Sequence, residues 1–151
     1  MSTWRPMSAF KPVTNDFSVS PQISVEDVAR AAAMGFRTIV NNRPEGEAAD
    51  QTAGEEIAAA AAAHGLSYKA LPYSPGPPPP GVVSGMAALL NEAPGPVLAY
   101  CRTGTRSIMA WALAQALEGA FTPDEIIAKA AQAGYDLGGM RGAFEGLAPK
   151  P

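Results

Sequence analysis

Histidine and cysteine each occur once in the 151 residues, at His64 and Cys101. With so few nitrogen and sulfur ligands, no metal site and no organic cofactor are expected. A lone cysteine forms no internal disulfide and leaves no second thiol to resolve an intermediate, which fits a reducing cytoplasmic setting. Basic residues are also few: 11 Lys and Arg against 14 Asp and Glu leave a net charge of −3. A broad phosphate-binding surface is absent, so a nucleic-acid partner is not expected. Long apolar runs are missing too. The most apolar helical stretch, Ile108 to Leu117, is broken by Gln115 and followed by Glu118, well short of the roughly 20 residues needed to cross a bilayer. The first residues, with Arg5, Pro6, Lys11 and Pro12, never form the apolar core of an export signal. The expectation is a soluble protein with no membrane partner. Aspartate, finally, does not occur between Asp50 and Asp124.

What is present reads as one α/β domain. Residues 1–16 read as an irregular N-terminal segment and 17–148 as the catalytic domain. Phe17-Ser18-Val19-Ser20 alternates like a short edge strand, and Ser24 stands as the N-cap of a helix running to about Met34, with Gly35 closing it. Phe36 to Val40 is a β-branched strand, Glu55 to Ala63 an alanine-dense helix ending at His64, and Leu66 to Leu71 a second core-facing strand. The helix dipole accounts for His64 at that end without a catalytic role. Seven residues from Pro75 to Gly81, five of them proline, make a stiff connection across the rim of the site. A helix over Val82 to Asn91, a strand over Pro96 to Tyr100 and a helix over Arg106 to Leu117 follow. Met109 and Trp111 lie on that last helix at core spacing. Thr122-Pro123-Asp124-Glu125 begins another helix, ending at Gly134, and Met140 to Leu147 a short last one. Alternating strands and helices indicate a mostly parallel sheet flanked by helices, with Val97 to Tyr100 in its middle.

The chemistry is expected at the carboxyl end of that middle strand, where such sheets bind ligands. Cys101-Arg102-Thr103-Gly104-Thr105-Arg106-Ser107 passes from strand through a tight loop into a helix. There, backbone N–H groups and the positive end of the helix dipole converge on one small space and favour a thiolate and a bound anion. Cys101 is the candidate nucleophile. Gly104 allows positive φ and close approach, and Arg106 offers a planar fork to the oxygens of a phosphate-like or sulfate-like group. Thr103 and Thr105 shape the loop, Arg102 lines its rim, and Ser107 is placed to donate to the thiolate or to a sulfur intermediate. Arg43, past the end of the strand at Phe36 to Val40, either adds charge to the anion site or pairs with Glu45 or Glu47. Tyr73 and Ser74, just before the prolines, stand where a strand end meets the rim.

The loop Cys101 to Arg106 resembles the active loop of rhodanese-type sulfurtransferases, in which cysteine carries a persulfide. Over a longer span, Gly35-Phe36-Arg37-Thr38-Ile39-Val40-Asn41-Asn42-Arg43-Pro44-Glu45-Gly46-Glu47 and Ala99-Tyr100-Cys101-Arg102-Thr103-Gly104-Thr105-Arg106-Ser107 resemble the beta-lactamase-hydrolase-like protein family. That family has a domain described as phosphatase-like. The likeness implies a tyrosine-phosphatase-like α/β sandwich and a phosphatase or sulfur-transfer activity. Two departures from tyrosine phosphatases separate those activities. Cys101 and Arg106 enclose four residues, one fewer than in such enzymes, and Tyr100 replaces the histidine that usually precedes the cysteine. Phosphatases of this fold also supply an aspartic acid from an upstream loop, where this chain has prolines. Without general-acid help, which contributes about 10²–10⁴-fold, alkyl phosphates are out of reach and activated phosphates are cleaved slowly. The expected activity is therefore sulfane-sulfur transfer from thiosulfate or a persulfide through a Cys101 persulfide to a low-molecular-weight thiol. Hydrolysis of aryl or activated phosphate esters through a phosphocysteine is the alternative, and non-catalytic recognition of a phosphate or sulfate group is the third reading.

Overall fold

The structure, a computed structural model, describes residues 9–150. The chain forms strand β1 (Lys11–Thr14), β2 (Phe17–Ser20), helix α1 (Val25–Ala33), β3 (Thr38–Asn41), α2 (Gly54–Ala63), β4 (Ser67–Ala70), α3 (Pro80–Glu92), β5 (Val97–Tyr100), α4 (Thr105–Glu118), α5 (Pro123–Gln132) and α6 (Arg141–Leu147). A single 3-10 turn, Gly138–Met140, leads into α6. The five strands make one sheet in the order β1-β2-β5-β3-β4, parallel throughout except for β1, which runs antiparallel to β2. The α/β class and the central position of β5 match the expectation from sequence.

Local chemistry explains the helix boundaries. Ser24 and Asp27 form a reciprocal capping box at the start of α1, and Thr122 and Glu125 form another at α5 behind Pro123 at the first helical position. Gly35 and Gly134 take φ of 98° and 97° where α1 and α5 end, a conformation that a Cβ would strain. Prolines set the entry to α3, which starts at Pro80, two residues before the expected Val82.

Three expectations need correction. The segment 1–16 is not irregular throughout: residues 11–14 form β1, an edge strand, while residues 1–8 lie outside the described chain. Pro12 hides this strand in the sequence, yet an edge strand tolerates a residue without an N–H. Consequently β2 is no edge; it lies between β1 and β5, and all four of its residues are buried. The other edge is β4, whose Lys69 and Ala70 are exposed rather than core-facing.

The sheet separates two apolar layers, because successive strand residues point to opposite faces. On one face Val19, Val40, Val97 and Ala99 pack with the inner sides of α3, α4, α5 and α6 around Trp111 and Phe144. On the other, Ile39 and Tyr100 pack with Val28 of α1 and Ile57 of α2. Trp111 stacks on Phe17 with ring centroids 5.7 Å apart.

Candidate active site

Register brings the site together. Ser20, Tyr100, Asn41 and Ala70 stand side by side as the last residues of β2, β5, β3 and β4. Whatever follows each strand therefore meets at one rim. Four segments converge there: Pro21-Gln22, the loop from Cys101, Asn42 to Glu47, and Leu71 to Tyr73.

Cys101 is fully buried. Its Sγ accepts a hydrogen bond from the backbone N–H of Gly104 at 3.1 Å, so the loop curls back and aims a dipole at sulfur. Gly104 has φ of 89° and is the N-cap of α4, and no side chain caps that helix start. The Thr105 N–H is directed at Thr103 Oγ1 at 3.5 Å, and the N–H groups that follow in the first turn of α4 retain their capacity for an anion. Neighbouring contacts hold the loop in place. Cys101 N–H donates to the Ser20 carbonyl at 3.4 Å, and Gln22 N–H to the Arg102 carbonyl at 3.3 Å. The Thr103 hydroxyl donates to Thr105 Oγ1 at 3.0 Å, which is the loop-shaping role expected of that pair. Arg102, Thr103 and Thr105 are exposed on the rim.

Arg106, in the first turn of α4, is 6% exposed. Its Nη1 donates to Glu47 Oε2 at 2.6 Å and to the Tyr73 carbonyl at 3.0 Å, while Nη2 donates to Glu47 Oε1 at 2.8 Å. Of its five N–H groups these contacts engage three, leaving Nε–H and the second Nη2–H as a parallel pair on the side edge of the guanidinium. That edge has the shape of a fork for an anion, and Glu47 and Tyr73 fix its direction.

Arg43 lies on the same rim as Cys101, as a parallel β3–β5 pair requires. It is 4% exposed, and its Nε donates to Glu47 Oε1 at 2.8 Å while Nη1 donates to Gln22 Oε1 at 3.0 Å. Of its two expected carboxylate partners, Glu47 is the one engaged, since Glu45 accepts instead from Gly54 N–H at the start of α2. One carboxylate thus joins two guanidinium groups, and these three side chains together keep one positive charge. The Arg106 hydrogen bond is the main influence that lowers the Glu47 pKa from 4.5 to about 2, with Arg43 adding to it against the opposing effect of burial. In return Glu47 raises the pKa of Arg106. At neutral pH Glu47 is an anion with no proton to give.

Ser107 departs from its expected role. Its hydroxyl donates to Asn42 Oδ1 at 2.8 Å, inside the protein, so its proton is not directed at Cys101. Asn42 in turn donates through Nδ2 to the Leu71 carbonyl at 2.8 Å, tying the ends of β3 and β4 to α4. Tyr73 is buried and donates to the Arg106 carbonyl at 2.6 Å, whereas Ser74 is exposed. Burial, then the nearby Cys101, pushes the Tyr73 phenol above its ordinary pKa, and burial does the same for Tyr100. Tyr100 is buried with Ile39 and Ile57 on the far face of the sheet. A neutral phenol there brings no charge to the thiol, whose polar surroundings are the Gly104 N–H and the Arg106 guanidinium. Among the described residues, no group of three His, Cys, Asp or Glu side chains stands close enough to hold a metal ion.

Sequence reasoning placed Cys101, Gly104 and Arg106 together but missed the central position of Glu47, visible beforehand only as one possible partner for Arg43. It also missed Asn42 and Gln22, which carry no local signal.

A buried cysteine held by a backbone N–H, an arginine in the first turn of the helix that follows and a mostly parallel sheet behind them define the class of cysteine phosphatase-like α/β proteins. The chain belongs to the family described as beta-lactamase hydrolase-like protein, phosphatase-like domain, whose profile matches residues 9–118. A beta-lactamase hydrolase-like protein of Agrobacterium fabrum is 30% identical over 125 residues; the match covers 83% of this chain but 29% of that protein. The chain thus spans less than a third of the length of the curated relatives it matches. Among solved structures, one from Neisseria meningitidis Z2491, described as a candidate phosphatase, is 31% identical, with a TM-score of 0.79 over 91% of this chain and 96% of that one. The catalytic core of the yeast PP-IP phosphatase Siw14 shares the fold alone, at 16% identity and a TM-score of 0.66, over 97% of this chain and 89% of that one.

Proposed function

We propose that this chain is a phosphatase acting on small phosphate esters with a stable leaving group, aryl phosphates and other activated phosphates, with Cys101 as nucleophile. The observation that carries the reading is the joint placement of Cys101 Sγ, the Gly104 N–H 3.1 Å from it, and the side edge of Arg106 at the uncapped start of α4. Membership of a family described as phosphatase-like supports phosphate over sulfur as the transferred group. In the first step the thiolate attacks phosphorus; an S–P bond forms as the bond to the leaving oxygen breaks, and that oxygen departs with the electron pair. Arg106, the loop N–H groups and the positive end of α4 stabilise the charge on the phosphoryl oxygens. Water then attacks the phosphocysteine, the S–P bond breaks, and orthophosphate, the thiolate and a proton released to solvent result.

The leaving group must depart unaided. Glu47 is held ionised and Tyr73 has committed its proton to the Arg106 carbonyl, so neither acts as a general acid. This limits the substrate to phosphates whose leaving group is a stable anion. Arg43 adds long-range positive charge, and exposed Arg102, Thr103 and Thr105 meet the rest of the substrate. The single cysteine suits a reducing, cytoplasmic location.

A second reading is sulfane-sulfur transfer through a Cys101 persulfide to a small thiol. The same shortage of acid groups favours it, because that reaction needs none. Both are tested by comparing wild type with Cys101→Ser on para-nitrophenyl phosphate, an alkyl phosphate, and thiosulfate with cyanide or glutathione. The expected result is turnover of the aryl phosphate alone and its loss in Cys101→Ser. Persulfide formation with no phosphate release overturns the phosphatase reading. Anion binding without turnover of either substrate, retained in Cys101→Ser, marks a recognition module instead.

A further inference from the structure

Beyond the segment that matches the family, one side chain reaches back to the anion loop. Tyr135, one residue past Gly134 at the end of α5, donates from Oη to the Thr103 carbonyl at 2.8 Å. That carbonyl and the Gly104 N–H belong to the same peptide unit. In a trans peptide the two point in opposite directions, and the cis bond found among the described residues is elsewhere, at Gly95-Pro96. So the peptide accepts from Tyr135 on one side and donates to Cys101 Sγ at 3.1 Å on the other. Holding the carbonyl fixes the plane that aims the N–H at sulfur. Donation to the carbonyl also polarises the N–H, because linked hydrogen bonds reinforce one another.

The chain of contacts continues behind the tyrosine. Lys11 of β1 donates from Nζ to Tyr135 Oη at 3.4 Å and lies 4.8 Å from the centre of its ring. Lys11 makes no salt bridge among the described residues. Its donation to Oη turns the phenol proton towards Thr103. Gly104 leaves no room for a side chain: at φ of 89°, a Cβ there would run into Tyr135 Oη.

We propose that Tyr135 is a positioning residue for the Cys101 nucleophile, acting through the Thr103–Gly104 peptide, with Lys11 orienting its hydroxyl. The proposal rests on Cys101 working as a thiolate, and holds whichever group the thiolate transfers. The other charged or titratable groups around the thiol are Arg106 of α4 and Tyr73 after β4, with Glu47 and Arg43 beyond Arg106 and Arg102 next in the chain. All of them remain in Tyr135→Phe, which removes the hydroxyl alone.

The test follows thiolate absorbance in the ultraviolet against pH, with the same background carrying Cys101→Ser subtracted to remove tyrosine ionisation. The chain has one cysteine, so the difference belongs to Cys101. Relative to wild type, Tyr135→Phe is expected to raise the midpoint by about half to one pH unit, lowering the thiolate fraction below the midpoint about three- to tenfold. Lys11→Met is expected to move it the same way by less. Thr122→Ala, which loosens the start of α5 without touching these contacts, is expected to lower the melting temperature and leave the midpoint in place. An unmoved midpoint in Tyr135→Phe overturns the proposal, as does an equal shift in Thr122→Ala. Should Tyr135→Phe fail to fold, Lys11→Met decides by the same criterion. Aryl phosphate turnover, measured in parallel, reports separately on the phosphatase reading: wild type inert towards phosphate with the midpoints still separated sinks that reading and leaves this one standing.

Discussion

A single carboxylate governs the inner charge of the site. Glu47 faces Arg106 and Arg43 at distances of 2.6–2.8 Å, and the guanidinium of Arg106 is aimed by that contact. Glu47→Gln keeps the shape and removes the charge, so Arg106 is expected to lose its fixed direction. A fall in kcat/KM of about 10- to 100-fold on aryl phosphate is the predicted outcome, since small misplacements of a charged group cost that much. The same substitution reports on stability. The Glu47 pKa is lowered on folding, from 4.5 to about 2, so the pair stabilises the protein fully above about pH 4.5 and this contribution disappears as pH falls towards 2. Urea midpoints of wild type and Glu47→Gln are expected to differ at pH 7 and to converge across that acid window. Much at this scale was legible beforehand. Cys101, Gly104 and Arg106 announce themselves by type and spacing, because a left-handed glycine and an arginine on the first helical turn are local requirements. The partner of Ser107 was not legible, since Asn42 is distant in sequence and meets it only because β3 lies beside β5.

Elements carry their own signals at their ends. Ser24 and Asp27 close the start of α1 with two reciprocal hydrogen bonds of 2.9 and 3.1 Å. Ser24→Ala is predicted to cost about 1 kcal/mol of unfolding free energy while kcat on aryl phosphate stays at the wild-type value. Chemical denaturation and steady-state kinetics measured together check both halves. The helices were easy to place from such caps and from alanine density, since both act within one turn. Strands were harder. β1 contains Pro12 and belongs to the sheet only because β2 offers an edge to pair with, and β4 has an inward-looking pattern yet ends at the rim of the sheet. Strand order is a property of neighbours, and four residues cannot encode it.

For the molecule as a whole, α4 links the candidate site to the core. Its first turn holds Arg106 and Ser107, and one turn later Trp111 stacks on Phe17 and touches Phe121 at a centroid separation of 6.1 Å. Trp111→Ala is predicted to cost about 3–5 kcal/mol, a large part of the roughly 5–15 kcal/mol that holds a domain of this kind together. Ile57→Val, on the thinner face beneath α1 and α2, is expected to cost only about 0.5–1.5 kcal/mol. Equilibrium unfolding of the two variants gives the comparison.

By itself the sequence determined the strand-to-helix loop with its cysteine, glycine and arginine, the helix ends and the α/β alternation, because each depends on residues within a few positions of one another. Tertiary structure alone decided which carboxylate steadies Arg106, where the Ser107 proton goes, which strands lie at the edges, and that Tyr135 from beyond α5 braces the Cys101 loop. Those outcomes depend on strand order and register, which bring distant segments to a common rim.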